Sequence, residues 1–259
     1  VDLYHNDWSF QELKIDFMDR SDQWMVGYYE RVMKCAARHR LFVDMHGSYT
    51  PKGLYRTYPN LLTYEGVLGM EQGARCEPEN SNWLPFIRNA VGPMDFTPGS
   101  MFSAQPEDNR STGANPMGTG TRAYQMALYV VFESPLQMLA DNPVLYRREH
   151  PCTEFLAAVP TTWDSLRVLH AACGREVVVA RRKGDKWYVG GITNDRPYTT
   201  EIALDFLPAG RTFTMTSFED GVNADLQATD YRKRVREVDA STVVKVEMVR
   251  NGGWAAVIE

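Results

Sequence analysis

Residues 11–47 read QELKIDFMDRSDQWMVGYYERVMKCAARHRLFVDMHG, and this stretch sets the fold class. Leu13-Lys14-Ile15-Asp16-Phe17 is a short apolar run with an acid near its end, the pattern of a buried strand. Arg20-Ser21-Asp22 supplies helix-cap chemistry. Trp24, Met25, Tyr28, Tyr29, Val32, Met33, Ala36 and Ala37 then step by three and four, the period of a helix burying one face. The basic end Lys34, Arg38, His39 and Arg40 suits a helix C-terminus. Leu41-Phe42-Val43-Asp44-Met45-His46 is a second apolar run, and Gly47 ends it. Strand, helix and strand in so short a span make a βα unit with parallel strands.

The pattern continues outward. Asn60-Leu61-Leu62-Thr63-Tyr64-Glu65 reads as a third strand, Trp83 to Val91 as a helix, and Met94-Asp95-Phe96 as a strand stub closed by Thr97-Pro98-Gly99. Thr121 to Phe132 reads as a helix with Ala123, Met126, Ala127, Val130 and Val131 inward. Asp16, Asp44 with His46, Glu65 and Asp95 all fall at strand C-terminal ends. They recur at roughly the length of one βα unit. Polar residues gathered there are what a (β/α)8 barrel uses to build a site at its top face.

After Gly174 the period changes from helical to alternating. Glu176 to Arg182, a turn at Lys183-Gly184-Asp185-Lys186, and Trp187 to Thr193 read as a hairpin. Thr200–Phe206, Thr212–Thr216, Val243–Val249 and Trp254–Ile258 continue the series, which predicts an antiparallel β-sandwich. The expected architecture is α/β plus all-β. Residues 1–160 form part of a TIM-type barrel, residues 161–259 form a C-terminal antiparallel β-sheet domain, and the junction lies near Pro160 to Gly174. A full barrel takes about 250 residues, so only part of one fits before the sandwich.

The chain has 259 residues, 44% of them hydrophobic and 24% charged, an ordinary globular balance. Its net charge of −5 without a basic block argues against nucleic-acid binding. It contains no apolar run of about eighteen residues, so no membrane span is expected. Val1 is not an initiator Met, so the chain reads as a mature or cut product. Cys35, Cys76, Cys152 and Cys173 are scattered without metal-ligand spacing and read as free thiols. Aromatic residues make up 12%, weakly in favour of carbohydrate handling.

Among the acids, Asp44 and Asp95 have a plain reading as helix caps at strand ends. Asp16 lies between apolar residues, where a carboxylate needs a partner or a purpose. Glu65 and Glu71 sit in Tyr64-Glu65-Gly66-Val67-Leu68-Gly69-Met70-Glu71-Gln72, a glycine-punctuated loop. Lys14 faces the same side of its strand as Asp16. Trp163 and Asp164 read as packing the C-terminal domain onto the barrel, and Arg181-Arg182-Lys183 as a solvated hairpin.

Several motifs occur in a characteristic order: Lys14-Ile15-Asp16-Phe17-Met18-Asp19-Arg20, Val43-Asp44-Met45-His46-Gly47, Arg56-Thr57-Tyr58-Pro59-Asn60 and Glu65-Gly66-Val67-Leu68-Gly69-Met70-Glu71. Ala90-Val91-Gly92-Pro93-Met94-Asp95-Phe96-Thr97-Pro98-Gly99, Val159-Pro160-Thr161-Thr162-Trp163-Asp164 and Ala180 to Gly190 follow. Together they resemble glycoside hydrolase family 97, in its retaining α-galactosidase-like branch. The resemblance covers the second half of the catalytic barrel and the C-terminal domain, and residues 1–13 are expected to fit it poorly. It implies a double-displacement hydrolase of terminal α-galactosides. Asp16 matches the nucleophile, Glu71 the acid/base, Lys14 and His46 substrate contacts, and Glu65 a calcium (Ca2+) ligand. Inverting members carry a Glu after the His of the second strand, where this chain has Gly47. The resemblance further implies a periplasmic or secreted enzyme, with homo-oligomers through the C-terminal domain. The rival readings are an α-glucosidase or another glycosidase on the same machinery, and a non-catalytic sugar-binding or assembly remnant.

Overall fold

The computed structural model describes residues 10–259. The first part runs β1 (Glu12–Ile15), α1 (Gln23–Arg38), β2 (Phe42–Met45), α2 (Leu54–Thr57), β3 (Leu61–Tyr64), α3 (Pro78–Ser81) and α4 (Leu84–Ile87). After the short strands β4 (Ser103–Ala104) and β5 (Gly118–Thr119) come α5 (Arg122–Val131), α6 (Pro143–Arg148) and α7 (His150–Ala158). β1, β2 and β3 pair in parallel in sequence order. An isolated parallel bridge from Tyr64 to Met94 adds the expected fourth position. Each strand pairs with the next in the chain, as in a barrel, and this is the partial barrel that the βα pattern predicts.

Alternation divides the faces of this sheet. Leu13, Ile15, Val43, Met45, Leu61 and Tyr64 pack outward against Met25, Tyr29, Met33 and Ala36 of α1. Asp22 caps α1 by accepting from Met25 N at 3.0 Å. Trp24 and Ala37, expected on the buried stripe, are exposed, and Trp24 instead stacks on Tyr28 beneath the Arg20 guanidinium. The other sheet face carries Lys14, Asp44 and Thr63 at one level, because register sets Lys14 opposite Asp44 and Asp44 opposite Thr63. Two residues further along each strand come Asp16, His46 and Glu65, stacked as the layers of a barrel interior are. The helix expected over Trp83 to Val91 is broken into α4 and a 3-10 turn at Asn89–Val91.

The C-terminal part contains β6 (Ser165–Ala172), β7 (Glu176–Lys183), β8 (Lys186–Thr193), β9 (Tyr198–Ala203), β10 (Phe213–Asp220), β11 (Tyr231–Val238), β12 (Val243–Met248) and β13 (Gly253–Ile258). Six strands form one sheet in the order β11-β10-β13-β8-β7-β6, and β12-β9 form a second, all pairs antiparallel. Val178, Ala180, Trp187, Val189, Met215 and Trp254 face the two-stranded sheet. Val177, Val179, Tyr188, Ile192, Phe218 and Ala255 face α5 and α7. A sheet covered on both faces needs apolar residues on both, and that explains the unbroken run Val177-Val178-Val179-Ala180.

α5 is buried on every side. Gly253 lets it lie directly on β13, since a Cβ there would sit 2.3 Å from Tyr124 Cα. Its cap, Thr121, accepts from Tyr124 N and donates to Asp220 Oδ1 at 2.6 Å. Asp220 also accepts from Val249 N and Gly253 N. Arg181 is buried rather than solvated, reaching Glu133 Oε2 at 2.5 Å and the Val131 carbonyl at 3.0 Å past the end of α5. Trp163 packs edge-on to Tyr188, whereas Asp164 accepts from Gly184 N in the β7–β8 turn. All four cysteines are free. No helix among the described residues is long and apolar enough to cross a membrane.

Candidate active site

The polar layers converge at the strand C-terminal ends. Asp95, following the Met94 bridge, receives Lys14 Nζ at 2.5 Å and His46 Nδ1 at 2.8 Å, both on its Oδ2. His46 Nε2 faces Glu71 Oε2 at 2.7 Å and Glu65 Oε1 at 3.5 Å. The second oxygen of Glu65 accepts from Gly47 N at 2.7 Å. Asp95, His46 and Glu71 thus form a continuous chain from the sheet interior to the loop after β3.

Gly47 has φ +55°, and a Cβ there would lie 2.7 Å from Asp16 Oδ1 and from Phe17 N. Asp16 therefore sits directly against the Gly47 backbone, in space that any side chain at 47 would fill. β1 ends at Ile15, and both Asp16 and Phe17 are exposed, so the expectation of a buried Asp16 flanked by apolar neighbours does not hold. Phe17 N donates to Asp16 Oδ1 at 2.6 Å.

Asp44 and Asp95 do not cap helices; both are buried side chains of the site. As an ionised carboxylate Asp44 finds no hydrogen-bond donor, and the nearest cation is Lys14 Nζ at 3.5 Å; once protonated it can donate to Asp95. Burial first, and then the neighbouring Asp95, push the Asp44 carboxyl up to about 8, so it holds a proton at neutral pH. Burial works against the charged form of Asp95 as well, but His46 and Lys14 outweigh it and hold that carboxyl below its ordinary range. Burial pulls His46 down, yet its bonds to Asp95 and Glu71 and the charge of Glu65 raise it to about 9. His46 is then an imidazolium donating from both ring nitrogens. Lys14 is likewise raised, its desolvation outweighed by Asp95 and Asp44.

Arg88 is the residue that sequence reasoning did not single out. Its guanidinium is buried and donates to the carbonyls of Tyr64, Glu65, Gly66, Gly92 and Pro93. It fastens the turn carrying Glu65 to the segment leading into Asp95. An Arg inside an otherwise apolar helical stretch was the available signal.

Groups that could hold a hard cation stand close together here. Glu65 Oε1, Glu71 Oε2 and His46 Nε2 lie within 4.8 Å of one another. Glu65 is raised by desolvation first, and the nearby charges of Glu71 and Asp16 add to this despite His46 and Gly47 N. Carboxylates crowded in this way suit calcium, which takes oxygen ligands. The His46 ring does not, and Glu71 Oε2 is already held by His46 Nε2, so Glu65 is the ligand this chain offers.

A parallel sheet with carboxylates, a His and a Lys at its strand ends, buttressed by an antiparallel β-domain, defines a partial α/β barrel with a carboxylate-centred site. The family model described as Glycoside hydrolase 97 matches residues 2–67, and that described as Glycosyl-hydrolase 97 C-terminal, oligomerisation, matches residues 162–259. The two together take in more than half of the chain, which belongs to glycoside hydrolase family 97. The first match begins at residue 2 and so includes most of the opening stretch.

A protein of Bacteroides thetaiotaomicron named "Retaining alpha-galactosidase" is 43% identical over 251 residues, which cover 95% of this chain and 38% of that protein. A Glycoside Hydrolase Family 97 enzyme from Pseudoalteromonas sp., solved with panose, matches with a TM-score of 0.87 and 33% identity, over 99% of this chain and 43% of that one. A beta-arabinopyranosidase structure matches with a TM-score of 0.82 and 28% identity, over 98% of this chain and 40% of that one. The chain spans about two fifths of the length of these relatives.

Proposed function

We infer that this chain carries the catalytic residues of a retaining glycoside hydrolase acting on terminal α-galactosides. Asp16 attacks the anomeric carbon while Glu71 gives its proton to the departing oxygen. Water, deprotonated by Glu71, then opens the glycosyl-enzyme at the same carbon and returns Asp16 to its carboxylate. The observation that carries the reading is the pairing of Asp16 with Gly47. A carboxylate lies at the end of β1, and the residue after His46 has no side chain to act as an inverting base.

Lys14, fixed by Asp95, presents its ammonium toward sugar hydroxyls. His46 holds Glu71 in place and turns its Nε2–H to a sugar hydroxyl when Glu71 swings to the leaving oxygen. Glu65 would hold a calcium ion, whose charge relieves the crowding of its carboxylate by the neighbouring acids. The sugar follows the name of the Bacteroides relative. The 28% identical beta-arabinopyranosidase supports a second reading, in which the same machinery takes a pentose. The description of the C-terminal match supports homo-oligomers through residues 162–259, and the family resemblance supports a periplasmic or secreted setting.

Product stereochemistry tests the mechanism in the complete polypeptide. NMR of the first-formed sugar is expected to show the α-anomer, and a β-anomer would assign the reaction to another base. Asp16→Ala should abolish turnover, with external azide restoring some and giving a β-glycosyl azide. A panel of aryl α-galactosides, α-glucosides and β-arabinosides separates the two substrate readings.

A further inference from the structure

Residues 105–120 leave β4, return through β5 and lead into α5. Asn251, in the turn between β12 and β13, holds both ends of this stretch. Its Nδ2 donates to Gln105 Oε1 at 3.0 Å, and its carbonyl accepts from Thr121 N at 2.9 Å. Asn251 and Gln105 are both buried, and Gln105 Nε2 donates in return to the Ala224 and Arg250 carbonyls at 3.0 and 3.3 Å. Asn251 has φ +53°, a left-handed backbone that residues with a Cβ seldom take and that Asn tolerates better than most. Such a conformation persists where its surroundings fix it, and here the bonds to Gln105 and Thr121 do so.

The stretch held in this way ends on the turn that carries Glu71. The 3-10 turn Pro106–Asp108 leads from Gln105 to Asn109. Asn109 Nδ2 donates to the Gly118 carbonyl at 3.0 Å and to Thr119 Oγ1 at 3.1 Å. The Thr119 hydroxyl donates onward to the Gly73 carbonyl at 3.3 Å, and Gly73 lies in the turn Met70–Arg75 that presents Glu71. Gly73 packs so closely on this stretch that a Cβ there would stand 2.7 Å from Ser111 Oγ. Asn109, Thr119 and Gly73 are all buried, so a bond lost among them leaves a polar group with no water to replace its partner.

Resting on the glycosidase reading above, we propose that Asn251 is a positioning residue for Glu71, through which the β-domain sets where the acid/base stands. Asn251 fixes Gln105 and Thr121, these fix the stretch between them, and Thr119 passes the constraint to Gly73. A general acid must stand within hydrogen-bond reach of the departing oxygen. A shift of the Gly73 carbonyl therefore slows substrates whose leaving group needs a proton and spares those whose leaving group departs without one.

The complete polypeptide carrying Asn251→Gly or Thr119→Val tests this, with Thr119→Ser as the conservative control. Glycine accepts the left-handed backbone at 251 and keeps the carbonyl for Thr121 N, so only the side-chain bond to Gln105 is lost. The readout is kcat/KM for an alkyl α-galactoside divided by kcat/KM for an activated aryl α-galactoside. Asn251→Gly and Thr119→Val are each expected to lower this ratio about fivefold, the worth of one hydrogen bond, and Thr119→Ser to keep it within about twofold of wild type. A ratio unmoved in Asn251→Gly, or equal losses on both substrates, overturns the positioning role while wild-type activity still supports the glycosidase reading. A drop in Thr119→Val alone overturns it too, and places the control of Glu71 within the barrel part. A wild-type enzyme that hydrolyses neither substrate overturns both readings.

Discussion

Gly47→Ala puts the smallest side chain into the tightest part of the site. The backbone at 47 has φ +55°, a left-handed conformation that costs a residue with a Cβ about 1–2 kcal/mol. The added carbon would also stand 2.7 Å from Asp16 Oδ1 and Phe17 N, well inside the contact distance of carbon with oxygen or nitrogen. Overpacking of this kind costs about 1–3 kcal/mol, so the expected loss is about 2–5 kcal/mol. For a protein of this size that lowers the melting temperature by about 4–20 °C. The collision falls on the Asp16 carboxylate, and a displacement of about 1 Å costs turnover roughly a hundredfold. Circular dichroism melting and initial rates on an activated aryl α-galactoside read the two effects. A variant that melts within about 1 °C of wild type and keeps its rate within about twofold would refute the claim that Gly47 makes room for Asp16.

Asp95→Asn removes the acceptor shared by Lys14 and His46. It should lower kcat more for poor leaving groups than for activated ones, because Glu71 loses its oriented partner; an equal loss across leaving groups would make Asp95 a stability residue only. In metal-free protein, stability should fall with rising pH. His46, raised to about 9 from 6.5, stabilises fully below pH 6.5 and loses that contribution as pH passes 9, while Asp44, raised to about 8, keeps in the fold a proton that the unfolded chain releases above about pH 4. The melting temperature should drop between about pH 4 and 9, and His46→Gln should flatten the upper part of that drop; an unchanged slope in that variant would remove His46 as the source. Asp220→Ala leaves the Thr121 hydroxyl, Val249 N and Gly253 N without their acceptor and should cost about 2–4 kcal/mol by denaturant titration; a loss under about 0.5 kcal/mol would contradict the clamp. Calcium should bind by isothermal titration and lose affinity in Glu65→Gln, and identical affinity in that variant would place the cation elsewhere.

The strands of both parts are legible where alternation or apolar runs mark them: the three barrel strands, the Met94 stub and six of the eight strands of the β-domain. The two that escape, β6 and β11, lie at the edges of the six-stranded sheet, where Arg167, Val168, Lys233 and Arg234 are all exposed and alternation no longer separates a buried from a solvent face. α6 lies outside the expected elements although its start carries a readable signal, Asn142 capping a helix with Pro143 at its first position. In the site, the sequence points to the strand-end residues but cannot say that Asp95 binds Lys14 and His46 at once. That depends on a fourth strand position placing residue 95 within reach of residues 14 and 46, a contact no local pattern encodes. Arg88 escapes for the same reason, since its five carbonyl partners come from two separated turns.

The position of α5 bears on how such a protein can be inherited. A helix with no exposed face belongs to neither neighbour, because the barrel part supplies its sequence and the β-sheet supplies much of its surroundings. Recombination that joined this barrel part to an unrelated tail would leave Tyr124, Ala127 and Val130 facing water, and a transplanted β-domain would arrive with Val177, Val179 and Tyr188 bare. The two halves are therefore expected to travel through evolution as one exchangeable piece, with the active-site loops free to vary and the shared helix bound to both lineages at once.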